Sequence, residues 1–283
     1  AGVHVVGQSY NYRATVIMNG GTIQENSCSS VTSQLAGGAG IYIEGNAEVT
    51  MYGGNILGNT SIGGVGGGVC TIDGYTTNFP DPSAPGAWPI ETYSQYYPAA
   101  FTMLGGTISG NKATASGETG TVQGDGGCGG GVYCASNEVT LRGGRIEGNQ
   151  ADSQGGGVYI GSIPYELTIY NAVVKGNTAS ILGGGIWACP TGDTEVFVTN
   201  GVGVFGNSSY GAGDDVASVK SPEGGYVLTL SNRILGGGQV QWYADGGLAD
   251  DGSVLGNPDD SPRYDPELSL IHISEPTRLG MIS

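Results

Sequence analysis

The feature that most restricts this chain is a block that recurs six times. It consists of an alternating apolar run, a corner usually built from two glycines, then Ile or Val, and an Asn three residues later. The copies are VIMNGGTIQEN (16–26), VTMYGGNILGN (49–59), FTMLGGTISGN (101–111), VTLRGGRIEGN (139–149), LTIYNAVVKGN (167–177) and, one residue longer, VFVTNGVGVFGN (196–207). A second block follows most of them: GGAGIYI (37–43), GGGVCTI (66–72), GGGVYCA (129–135), GGGVYIG (155–161) and GGGIWAC (183–189). A fixed signature at this recurrence is the mark of a repeat architecture, in which each unit buries its apolar face only against its neighbours.

Each column of the repeat has a physical reading. Alternation with period two predicts a strand whose inward residues are Val49/Met51, Phe101/Met103, Val139/Leu141, Leu167/Ile169 and Val196/Val198. Thr50, Thr102, Thr140 and Thr168 then face outward in register. The Gly-Gly pair permits a sharp corner at positive φ, and Ile23, Ile56, Ile108, Ile146, Val174 and Val204 return to the core. Asn26, Asn59, Asn111, Asn149, Asn177 and Asn207 fall in the same turn of successive units. Their amides predict a structural ladder that satisfies turn backbone.

Strand and corner alternate at 28–52 residues per unit, without the Asn-Gly or Asp-Gly spacers of hairpins and without helical crossovers. The chain is therefore expected to be all-β: a parallel β-helix of about six or more coils, wound right-handed as parallel crossovers are. The β-helix domain is placed at 13–246, with residues 1–12 as a partial leading coil and insertions at 73–100 and 113–128. TLSNRILGGGQVQWYADG (229–246) reads as a closing strand pair that caps the apolar end, and 247–267 as a linker.

Composition narrows the function. Gly supplies 56 of 283 residues, far above the usual ~7%, as many short strands and tight turns require. With 25 acidic and 9 basic residues the formal charge is −16, which repels phosphate backbones, so no nucleic-acid partner is expected. No apolar run is long enough for a transmembrane helix. Five cysteines leave at least one thiol unpaired in a monomer. Cys134 aligns with Ile160 and Ala188 as a small core residue, Cys128 lies where it can bridge the corner to Cys134, and Cys28 and Cys189 sit near turns. Without a CxxC pair, and with His4 as the only histidine before residue 268, neither a zinc site nor any cofactor is implied.

The GGxIxGN block followed by GGGVY resembles the repeats of right-handed β-helix surface proteins of bacteria, including adhesin-like and polymorphic outer-membrane proteins. GGTI, GGNI and GGRI stand close to the GGAI-type motif of the polymorphic group, but Ile-x-x-Asn replaces its Phe-x-x-Asn. The resemblance implies a secreted or surface-displayed rod, noncatalytic as a rule, without naming a ligand. At the other end, LSLIHISEPTR (268–278) with LGMIS resembles the translation of a transposase adapter used in sequencing libraries. Residues 268–283 are read as a non-native tail and both native ends as missing.

Two regions carry candidate chemistry. The insertion 73–100 gathers Tyr75, Phe79, Trp88, Tyr93, Tyr96 and Tyr97 among prolines. Such rings either pack the loop against the wall, the favoured reading, or stack on a glycan or a host protein. Tyr42, Tyr133, Tyr159 and Trp187 form an outward aromatic column with Cys70, read as scaffolding rather than a glycan platform. The Thr column is too interrupted by loops for ice binding. The main alternative is a polysaccharide lyase or glycoside hydrolase, which needs a base beside an acidic cluster or converging carboxylates. Arg142, Arg145, Asp125, Asp152 and the Asp214–Asp215 doublet are spread too widely for that and read as solvated faces. The expectation is thus a noncatalytic extracellular stalk or adhesive surface.

Overall fold

The structure is a computed structural model that describes residues 1–7, 12–29, 37–76, 95–116, 126–161, 165–188, 193–197, 201–218, 228–231 and 240–242. These residues hold no helix and build four stacked parallel sheets, the parallel β-helix that the repeat predicts. Each coil visits the four sheets in turn. In one coil the strands are Ile41–Gly45, Ala47–Met51, Asn55–Leu57 and Thr60–Ile62. The coil below supplies Val3–Gly7, Ala14–Met18, Thr22–Gln24 and Ser27–Ser29.

Register follows the repeat column by column. In the first sheet Ile41 pairs with Val69, Val69 with Val132, Val132 with Val158 and Val158 with Ile186. In the second, Met51 pairs with Met103, Met103 with Leu141 and Leu141 with Ile169. In the third, Ile56 pairs with Ile108, Ile108 with Ile146 and Ile146 with Val174. These side chains form one continuous buried core along the rod. The outward Thr column is also in register, Thr50 to Thr102 to Thr140 to Thr168.

The Gly-Gly-Gly corner is forced by the rung spacing of ~4.8 Å. A Cβ at Gly131 would lie 2.5 Å from the carbonyl oxygen of Gly157 and 3.0 Å from Asn149 Nδ2, so no side chain fits between coil and ladder. The glycine before the ladder Asn has φ of 62–64° at Gly58, Gly110, Gly148, Gly176 and Gly206, a left-handed corner that glycine adopts freely.

Several expectations need correction. In the coil after Ile169 the second-sheet strand is Asp193–Phe197, with Leu167 opposite Thr194 and Ile169 opposite Val196. The inward pair is therefore Thr194/Val196 rather than Val196/Val198, and Val198 lies outside the described residues. Eight positions instead of five separate the last inward residue from the third-sheet valine (204 − 196 against 174 − 169), because the ladder Asn holds its place and the surplus goes into the corner. The fourth sheet was not anticipated: Ser27–Ser29, Thr60–Ile62, Lys112–Thr114, Gln150–Ala151, Thr178–Ala179 and Ser208–Ser209 stack directly after the Asn turn. The insertion expected at 113–128 accordingly starts later, since Ala113 is buried in this wall and Ala115 bridges Gly126. Cys28 stands in a fourth-sheet strand rather than a turn, and Cys28, Cys70, Cys128 and Cys134 are all free thiols, so no Cys128–Cys134 bridge forms. Cys189, the linker 247–267 and the tail 268–283 lie outside the described residues. Leu228–Ser231 extends the second sheet and pairs antiparallel with Val240–Trp242.

Candidate functional site

Two sets of side chains that could have carried chemistry are engaged in holding the rod together. In the Asn ladder, Asn26 donates its backbone N–H (3.0 Å) and Nδ2 (2.8 Å) to Asn59 Oδ1, and every later rung repeats the pattern through Asn111, Asn149, Asn177 and Asn207. From Asn59 onward each Nδ2 also donates backwards to a carbonyl: Asn59 to Ile23, Asn111 to Ile56, Asn149 to Ile108, Asn177 to Ile146 and Asn207 to Val174, at 2.9–3.1 Å. Where a seventh Asn would stand, Asp215 Oδ1 accepts from Asn207 N at 3.0 Å and Asn207 Nδ2 at 2.9 Å. All six amides point their oxygen to the N-terminal coil, so their dipoles end positive at the Asp215 carboxylate, the arrangement that favours an anion at a helix N-terminus. Sequence reasoning treated Asp215 as a solvated acid. Asp214 Oδ1 meanwhile accepts from Ser209 N at 2.8 Å.

The aromatic column of the first sheet is outward from the lumen yet covered. Tyr159 and Trp187 are buried with Cys70 beneath Val65, Cys128 and Leu182 of the Gly-rich corners, a second apolar layer outside the coil. Tyr133 and Tyr159 stack at 5.0 Å and 7°. Burial pushes the Tyr42 and Tyr133 phenols and the Cys70 thiol well up from their ordinary values. Such groups brace the wall.

The exposed chemistry lies around the outer face of the second sheet. On one border the chain leaves for the aromatic insertion. Gly74–Thr76 and Gln95–Tyr97 pair antiparallel there, Tyr75 opposite Tyr96 and Gly74 opposite Tyr97, so the insertion departs as a two-stranded ribbon. Its foot is clasped by buried Asp73, whose Oδ1 accepts from Ala99 N at 2.8 Å. Phe79, Trp88 and Tyr93 lie outside the described residues. Beyond the other border a ridge was missed by sequence reasoning. Tyr52, Leu104, Arg142 and Tyr170 each follow the inner Met, Leu column by one position, and each N–H donates to the coil before it. Tyr52 is 56% exposed and Leu104 38%, and the Arg142 guanidinium lies 5.6 Å from the Tyr170 ring centre. The signal was available, since these are the residues just before each Gly-Gly corner or its equivalent. Between the borders run the half-buried Thr column and an acidic row in which Glu48 and Glu138 both hold Arg13, at 3.4 and 2.8 Å.

The groups considered for lyase or hydrolase chemistry have local partners. Arg145 pairs with Glu147 at 3.1 Å, and Lys175 reaches the same carboxylate at 3.5 Å. Partial burial works to raise the Glu147 pKa, but the Arg145 hydrogen bond and the two cations outweigh it and hold the carboxyl below its ordinary value. Lys112 lies 3.9 Å from Asp152. Among the described residues no three His, Cys, Asp or Glu side chains are grouped to hold a metal ion, and no helix is long and apolar enough to cross a membrane. Asp125 lies outside the described residues. No family profile, curated protein or solved structure matches this chain.

Proposed function

We propose that this chain is a noncatalytic, extracellular β-helix rod, secreted or displayed on a bacterial surface, that serves as a stalk or adhesive surface for glycan or protein contact. The observation that carries this reading is the division of labour across the wall. Amides, buried phenols and the Asp214–Asp215 pair are spent on internal contacts, while Tyr52, Leu104 and the aromatic insertion flank one outer face. Exposed aromatic and aliphatic side chains beside Thr and Arg suit sugar rings or a protein partner, since each offers an apolar body with polar groups at its edge. The likeness of the repeats to those of bacterial surface β-helices supports the same reading.

The test is a screen of the full chain against arrayed glycans and immobilised extracellular proteins. It is repeated with 77–94 replaced by a two-residue turn and with Tyr52→Ala/Leu104→Ser. Unchanged circular dichroism with binding lost in either variant is the expected result. Release of unsaturated uronates or new reducing ends from polysaccharides would replace this reading with an enzyme.

A further inference from the structure

On this acidic rod one arginine stands apart from the carboxylates. Among the described residues Arg13, Lys112, Arg145 and Lys175 each pair with a carboxylate at 2.8–3.9 Å. Arg142 forms no such pair with a described residue: it is exposed, and its guanidinium lies over the Tyr170 ring, 5.6 Å from the ring centre. Its surroundings also oppose the sign of the molecule, whose formal charge is −16. Across 104–116, 142–152 and 170–179, the ridge and the third and fourth sheets carry Lys112, Arg142, Arg145 and Lys175 against Glu147 and Asp152 alone. The outer face of the second sheet instead sets Glu48, Glu138 and Glu166 against Arg13. Tyr52, Leu104, Arg142 and Tyr170 occupy successive rungs, since their N–H groups donate to Met18, Met51, Met103 and Leu141. The row therefore climbs in steps of ~4.8 Å and is one side chain wide. Gly53–Gly54, Gly105–Gly106 and Gly143–Gly144 follow its first three members, so bare backbone borders it on that side.

These features select a ligand class. A row one side chain wide is too narrow for the ~800 Å² that each partner buries in a standard protein interface. A sugar ring needs less: its apolar face stacks on a phenol or packs on Leu. A guanidinium backed by an aromatic ring keeps N–H groups free for a planar acid, which it can hold through two parallel hydrogen bonds. We propose, resting on the adhesive-surface reading and naming its ligand, that this ridge binds a carboxylate-bearing saccharide. Arg142 donates to the carboxylate, and Leu104 and Tyr52 carry the neighbouring ring. Tyr170 is a positioning residue that backs the guanidinium. Arg145 and Lys175, already engaged by Glu147, contribute field rather than contact.

Two pairs of sugars titrated into the full chain by calorimetry test this: sialyllactose against lactose, and tetragalacturonate against its methyl ester. The first acid sits at a chain end and the second within a chain, so the pair that responds identifies the source of the carboxylate. In at least one pair the acid is expected to bind at least about tenfold more tightly than its neutral partner, the effect of one charge-assisted hydrogen bond. Arg142→Gln should erase that advantage and leave the neutral sugar unchanged. Arg145→Gln removes the same formal charge from a paired position and should cost less than about threefold. Both arginines are exposed, so circular dichroism should be unchanged in either variant. Equal losses in the two variants overturn the site, because the net field then explains the binding. Equal affinity for acid and neutral sugar overturns the acidic class and leaves the adhesive reading standing. Binding of polyglutamate through Arg142, without any sugar, makes an acidic protein segment the ligand and overturns the saccharide. Binding of none of these probes also overturns it, and the screen of arrayed glycans and extracellular proteins then decides the adhesive reading separately.

Discussion

The first and last coils that carry the Asn ladder differ in what meets it. At the C-terminal end the ladder stops on Asp215, Val196, Val204 and Val216 stay within 1–8% exposure, and an antiparallel strand closes the second sheet. In the first described coil no described residue donates to Asn26 Oδ1, and Val3, Val16 and Ile23 are only partly buried. A stacked array of amides has a direction, so its ends are chemically distinct: a carboxylate can finish the donor end, and only a donor can finish the other. Stability along the rod should therefore fall from the middle and the capped end towards Asn26.

The largest contrast is expected between Asn149→Ala and Asn26→Ala. Removing Asn149 strands the Asn111 N–H and Nδ2 inside the wall, each unmet group costing ~1–3 kcal/mol, so roughly 2–6 kcal/mol in all. Asn26→Ala leaves its backbone donor to Asn59 Oδ1 in place and should cost about 1 kcal/mol. Urea denaturation followed by circular dichroism measures both, and equal losses would mean the first rung is held as firmly as the middle ones. The capped end can be dissected next. Asp215→Ala removes the acceptor for two Asn207 donors and should cost about 2 kcal/mol, whereas Asp215→Asn keeps an acceptor and should cost about 1 kcal/mol or less. If the two variants are equally damaging, charge rather than hydrogen bonding is what ends the ladder.

Much of this was legible in the sequence, and the limits are instructive. The Asn column and the inward Val, Met, Leu and Ile columns were plain because an apolar side chain must return to the lumen at fixed spacing. The fourth sheet was not, because its inward column is Cys28, Ser61, Ala113, Ala151, Ala179 and Ser209 in strands of two or three residues. Small residues at that length show no apolar alternation. The burial of Tyr159 and Trp187 was hidden because the residues that cover them, Val65, Cys128 and Leu182, are single apolar positions in Gly-rich corners. The cap role of Asp215 was invisible for a related reason: it sits eight residues after Asn207, outside the repeat's spacing, and only the fold brings them together.

Alkali should separate the middle of the rod from its edge. Burial pushes the Cys134 thiol from an ordinary 9.0 up to about 12, against a lowering backbone hydrogen bond at Ser136, and Cys70 is also raised. A raised value in the folded state means its contribution is intact below 9.0. It is lost as pH climbs towards about 12, because the unfolded chain ionises and the folded chain does not. Denaturation midpoints should fall over that window, and Cys70→Ala/Cys134→Ala should flatten the slope. In native protein at pH 8, peptide-level alkylation should modify partly exposed Cys28 well before either buried thiol. Equal rates would mean that the interior opens as readily as the edge.

The smallest effect concerns Glu25, and its sign is opposite to the others. It occupies the left-handed corner before Asn26 with φ 56°, the position filled by glycine in the five later coils. An L-residue there costs ~1–2 kcal/mol, partly offset because glycine loses more backbone entropy on folding. Glu25→Gly should therefore stabilise the chain by about 0.5–1 kcal/mol, and Gly110→Glu should cost about as much as Glu25→Gly gains. Glu25 is exposed, and a Cβ at Gly110 would meet only Leu57 Cδ1 at 3.8 Å and Gly58 N at 3.9 Å, ordinary contacts, so neither substitution is confounded by a clash. If Glu25→Gly gains nothing, the first coil must already relax its corner at the open face. The gain should then appear only once a further coil is fused ahead of Val3 and fixes that backbone in place.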